Sequence, residues 1–224
     1  MPSFLNRLTY VAVIAMATGT ITAATILLGL DSGVADSSVS AAAADRPLKS
    51  VAEFQSIADA GARSQALFTE AAKVITDPRC MNCHPANRQP TQGDDMHPHV
   101  PFMDAGESGI GERGIVCTSC HRGENTALPG SRLRSVPGAE PWLLAPASMG
   151  WQGLTLGGIC QQLKDPVRNG GRSLAQIHQH MSTDHLVGWA WHPGEGRRPA
   201  PGTQRAFGEL IAAWIETGAD CPTP

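Results

Sequence analysis

Apolar positions recur at helical spacing in four stretches of the chain, and turn formers separate them. Residues 51–75 place Phe54, Ile57, Ala58, Leu67, Phe68, Ala71 and Ile75 at roughly helical intervals. Gly61 falls on the same face and weakens that helix by about 1 kcal/mol against Ala. Pro78 breaks the pattern. A short helix is predicted over 154–163, with Leu156, Ile159, Cys160 and Leu163 on one face and Pro166 at its end. Ser173 is an N-cap for a helix running through His185. Thr203 opens the last helix, with Phe207, Leu210, Ile211, Trp214 and Ile215 as its buried stripe and Gly218 as its C-cap. Residues 85–114, 125–151 and 191–202 show no such period and are rich in Pro and Gly, so they read as loop. The pattern predicts a mostly α, loop-rich fold.

The N-terminus departs from this pattern. Arg7 precedes residues 9–30, a run of 22 without a charge, which Asp31 ends. A positive residue before an apolar run is an export signal, whose apolar part usually spans about 7–15 residues. A run of about 20 can instead cross a bilayer as a helix. Both a cleaved signal and a retained membrane anchor therefore stay open for residues 1–30. In either case the rest of the chain faces the oxidising side of the membrane. Residues 31–50, rich in Ala, Ser and Asp, read as a linker, leaving 51–224 as the folded domain.

Composition sharpens the picture. Aromatics make up only 5% of the 224 residues, while Gly (24) and Pro (17) are abundant. So few large side chains suit a fold that wraps around an apolar group the chain does not encode. The net charge of −3 excludes a basic surface for nucleic acid.

Such a group has an attachment signature. "CMNCH" at 80–84 recurs as "CTSCH" at 117–121. Both are C-x-x-C-H, the pattern that attaches a c-type haem. Two thiols three residues apart can bond both vinyl groups of one porphyrin. The next residue then lies under the ring, where histidine is the usual proximal ligand of iron. Cys80, Cys83, Cys117 and Cys120 are thus the expected anchors of two haems, and His84 and His121 the proximal ligands. Zinc could use both cysteine pairs, but that leaves two following histidines unexplained. A thioredoxin-like pair would lie near a βαβ pattern, which is absent. Cys160 and Cys221 remain; in an oxidising compartment they form a disulfide or stay as two buried thiols. "GIGERG" at 109–114 matches a nucleotide-binding fingerprint in letters only, since no strand precedes it and no helix follows. Its glycines are expected to let backbone pass close to a porphyrin edge.

Each iron needs a decision on its second axial position. In "MHPH" at 96–99, Pro98 favours an extended His97, so His97 and His99 share a side. One is expected to ligate and the other to meet a propionate. On a helix through 178–185, His178, Met181 and His185 fall on one face and His180 points elsewhere. Met149, in "PASMGW", is a loop methionine candidate. Methionine opposite histidine raises the reduction potential; an open position permits ligand chemistry.

The stretch from "CMNCHP" through "QGDDMHPH" to "GIVCTSCH", with "PWLLAPASMGW" and "GWAWHPGEGRRPAPGTQ...FGELIAAWI", resembles a bacterial family of exported di-haem cytochromes c. Its members are often labelled isoquinoline 1-oxidoreductase subunit. The resemblance covers about residues 77–222 and implies an electron-carrying partner of a molybdenum hydroxylase or similar exported dehydrogenase. In layout alone the chain is also similar to the small di-haem subunit of periplasmic nitrate reductase. That family carries a distal histidine ahead of its first motif, and no histidine precedes Cys80 here. The expected function is electron transfer through two haem c groups on the periplasmic side of the inner membrane. The competing expectation is a haem enzyme, a peroxidase or small-ligand reductase, with one open iron site.

Overall fold

A computed structural model describes residues 46–112 and 114–223. The expected signal or anchor lies outside them, as does most of the linker. Among the described residues no helix is long and apolar enough to cross a membrane.

The architecture is mostly α and loop-rich. Among the described residues six α-helices carry it: α1 (Ala60–Ile75), α2 (Pro78–Met81), α3 (Leu156–Lys164), α4 (Leu174–Thr183), α5 (His185–Gly188) and α6 (Gln204–Glu216). Helix α6 packs against α1 and α4, and α3 lies against the same two. Their apolar stripes meet in one core, where Trp214 and Phe68 are fully buried with ring centroids 4.9 Å apart. Ser64 stitches α1 to the far end of α6: its hydroxyl donates to the Trp214 carbonyl (3.1 Å) and accepts from the Asp220 amide (2.9 Å).

Caps set the helix limits, and they correct two expectations. The predicted helix over 51–75 is a 3-10 turn (Val51–Phe54), a break, and then α1, because Asp59 accepts the Ala62 amide and starts a new helix. Gly61 therefore lies in a first turn and not mid-helix. Pro78 starts α2 at its first position, where a missing N–H costs nothing. The helix begun at Ser173 stops at Thr183. Asp184 turns extended, and its carboxylate caps α5 through the Leu186 and Val187 amides. His178 and His185 thus sit on different helices, and the shared face expected for them does not exist.

The long loops carry three two-residue antiparallel ladders. They are β1 (Thr91–Gln92) with β2 (His97–Pro98), β3 (Gly111–Glu112) with β4 (Ile115–Val116), and β5 (Thr126–Ala127) with β6 (Ser135–Val136). The glycines of "GIGERG" serve the second hairpin. Gly111 has φ +104°, and a Cβ there would stand 2.6 Å from the Ile115 carbonyl oxygen. That contact calls for a glycine at this position.

Residues 46–50, the end of the expected linker, are docked on this body. Arg46 pairs with Asp77 at 2.9 Å, and the Lys49 amide donates to Glu70 at 2.9 Å. Leu48 packs against the core. Cys160 of α3 is bonded to Cys221, beyond α6, with Cα atoms 5.6 Å apart.

Candidate functional site

The two C-x-x-C-H motifs reach the same arrangement on unrelated backbones. The first lies on α2 and the turn after it. There the His84 Nδ1 meets the Met149 carbonyl oxygen at 2.7 Å, and the ring stacks on Trp151 with centroids 3.5 Å and planes 6° apart. The second opens as a 3-10 turn (Cys117–Ser119). There the His121 Nδ1 meets the Pro137 carbonyl oxygen at 2.8 Å, and the ring stacks on Trp142 at 4.4 Å and 4°. A carbonyl can only accept, so in both rings Nδ1 carries the proton and donates it. Nε2 is left as a free lone pair in a ring whose direction is fixed, which is how metal-bound histidines are held. Burial pushes both imidazoles down to about 4, so each is neutral at pH 7 and able to ligate.

Cys80, Cys83 and His84 line an apolar, partly open cavity. Met149 and Trp151 lie on the His84 side. Ile177, His180 and Met181 of α4 line it too, with Trp189 from the turn after α5. Arg79, paired with Asp77 and Asp94, and Arg172 complete the lining. Two buried donors in this wall, Arg79 Nε and Trp151 Nε1, have no hydrogen-bond partner among the described residues. An apolar cavity with unspent donors and guanidinium groups fits a ligand that is flat, apolar and carries carboxylates, as haem does.

The second motif is more open. Cys117 is half-buried and Cys120 exposed. Seven of the nine exposed large apolar side chains among the described residues, including Val100, Phe102, Ile110, Ile115 and Leu133, fall between residues 96 and 133 around it. Apolar surface concentrated there lacks a protein cover.

The thiols speak against redox chemistry of their own. All four are free. Burial pushes Cys83 up to about 11 and raises Cys80 and Cys117 as well, whereas a reactive pair needs a lowered thiol. No three Cys, His, Asp or Glu side chains converge as a metal cluster among the described residues.

The distal candidates separate. His99 stands beside His121, ring centroids 6.0 Å apart. His97 is turned into its own loop, Nδ1 on Asp95 (2.6 Å) and Nε2 on the Gln92 amide (3.0 Å), so both its nitrogens are engaged. Met149 is buried, but its carbonyl is the acceptor behind His84, which puts it on the proximal side of that ring. His178 does not line the cavity, and His185 is exposed with Nδ1 3.4 Å from the Glu140 carbonyl oxygen. His180, expected to point away, lines the cavity instead. Sequence reasoning missed it because the helix was carried through to residue 185. The signal was present: His180 follows the buried Ile177 by three positions and precedes the helix-stopping Asp184 by four. Trp142 and Trp151 were also missed as partners of the motifs. Their signal is tryptophan in segments that have no helical or strand period.

Comparison with family models, with curated proteins and with solved structures finds no match to this chain.

Proposed function

We propose that this chain is a di-haem c-type cytochrome, an electron carrier and not itself an enzyme. Cys80 and Cys83 would anchor one haem with His84 on its iron; Cys117 and Cys120 would anchor the other with His121. Haem supplies a one-electron couple, and the protein sets its potential through ligand, burial and nearby charge. The observation that carries this reading is the repeated histidine geometry. In each motif Nδ1–H is spent on a backbone carbonyl, the ring is clamped on a tryptophan, and Nε2 is left free. The loop-rich fold would close around the two haems, and its export-type N-terminus suits the periplasmic side of a bacterial inner membrane. The partner would be a redox protein, an exported dehydrogenase or molybdenum hydroxylase.

Production in a host that exports the chain and attaches haem c tests this. Intact mass should show two covalent haems per chain. Replacing Cys80 and Cys83 by Ala should remove one, and replacing Cys117 and Cys120 should remove the other. A purified protein with the mass of the bare polypeptide, or with zinc on the cysteines, overturns the reading.

A further inference from the structure

We propose that His180 and His99 are the second axial ligands, His180 opposite His84 and His99 opposite His121, so that both irons lie between two imidazoles. This assignment rests on the di-haem reading and deepens it.

The second pair is a matter of distance. A first-row metal bonds imidazole nitrogen at about 2.0–2.1 Å, and the ring centre lies about 1 Å further on, so two imidazoles gripping one metal from opposite sides have centres about 6 Å apart. The His99 and His121 centroids are 6.0 Å apart. Their planes differ by 58°, which rotation about a shared axis permits. Both rings also hold Nδ1 on a backbone carbonyl, Pro101 for His99 (2.7 Å) and Pro137 for His121 (2.8 Å), so both free nitrogens are Nε2.

The first pair is a matter of the cavity. His180 lines the same apolar space as His84, Cys80 and Cys83. Its Nδ1 lies 3.2 Å from Asp184 Oδ2, the carboxylate support that metal-bound histidines commonly have. That carboxylate is fixed from elsewhere. Its other oxygen caps α5, and the Asp184 carbonyl accepts from the Gln204 side chain at 2.9 Å. Met181 lines the cavity as well, but it is packed into the hydrophobic core.

Near-infrared magnetic circular dichroism distinguishes bis-imidazole, imidazole–thioether and open irons, and carbon monoxide uptake counts the open ones. The haem-loaded wild type should show two bis-imidazole irons and bind no carbon monoxide. His180→Ala should open one iron, taking uptake from zero to one per chain, and His99→Ala should open the other. His97→Ala, His178→Ala and His185→Ala should open none. Where His180→Ala does not fold, His180→Met carries the test, converting one bis-imidazole signal to imidazole–thioether. A thioether or open iron in the wild type overturns the assignment, as does a His180 or His99 variant that leaves both signals unchanged. A chain without covalent haem overturns the electron-carrier reading itself, so the two failures are told apart.

Discussion

His84 and His121 show how a neutral imidazole is prepared. Burial lowers both to about 4, and the accepting carbonyl only partly offsets it. The consequence for stability has a definite sign. An unfolded histidine titrates near 6.5, above the folded value, so between pH 6.5 and 4 the unfolded chain binds the proton first. In haem-free chain, the stability each neutral ring allows is complete above about pH 6.5 and is lost as the pH falls towards 4. For His84 this amounts to at most about 3 kcal/mol; His121 is more exposed and contributes less. Urea unfolding of the haem-free chain at pH 7 and pH 4.5 should show a smaller acid loss in His84→Gln than in wild type. Equal losses would refute it. Asn169 does structural work on the same wall. Fully buried, its amide donates to the Leu163 and Arg172 carbonyls, and its oxygen accepts from the Arg172 amide, all at 2.8 Å. Asn169→Ala strips three bonds from the loop that carries Arg172. It should cost about 2–4 kcal/mol in chemical denaturation; a cost below 1 kcal/mol would mean that water replaces the amide.

Between α3 and the tail beyond α6, the Cys160–Cys221 bond closes a segment of 61 residues that contains α4, α5, α6 and part of the wall of the first cavity. Cross-linking a loop of that length restricts the unfolded chain by about 4 kcal/mol. Cys160→Ala with Cys221→Ala should therefore lower the melting temperature by roughly 10 °C; calorimetry showing a change under 2 °C would contradict the entropic account. The sequence made both partners legible by arithmetic, since four of six cysteines belonged to the two C-x-x-C-H motifs. It made the helices legible wherever period and cap agreed. Ser173, Thr203 and the Phe207–Trp214 stripe are such places, and the structure buries that stripe. Elements failed where a short polar side chain overrode the apolar period. Asp59 starts α1 after a break and Asp184 ends one helix and caps the next, and no hydrophobic count registers that. The misplaced distal face on α4 follows from the second of these. The tryptophan clamps were illegible for a different reason: a loop's partners are set by tertiary contact, and Trp142 and Trp151 lie 21 and 67 residues from the histidines they cover.

Across the whole molecule the two motifs occupy unequal surroundings joined by aromatic contact. Trp142, which covers His121, meets Trp189 edge-on at 5.1 Å, and Trp189 lines the first cavity. Its Nε1 is held by Asn125 at 2.9 Å. The first site is an apolar cavity whose Arg79 is paired with Asp77 and Asp94; the second has a half-buried and an exposed cysteine in a stretch rich in uncovered apolar side chains. With two imidazoles on each iron, as proposed, the ligands cannot distinguish the sites and their surroundings must. Oxidised iron carries one more positive charge than reduced iron. A low-dielectric, apolar surrounding disfavours that charge, so the more buried first site should be the easier to reduce. Electrons arriving at the open second site would then run downhill past Trp142 and Trp189 to the first. Spectroelectrochemical titration should resolve two one-electron steps separated by on the order of 100 mV, equivalent to about 2 kcal/mol. The step altered by His180→Ala should be the higher one. If His99→Ala alters the higher step instead, burial does not set the order, and the direction of flow inferred from the fold is reversed.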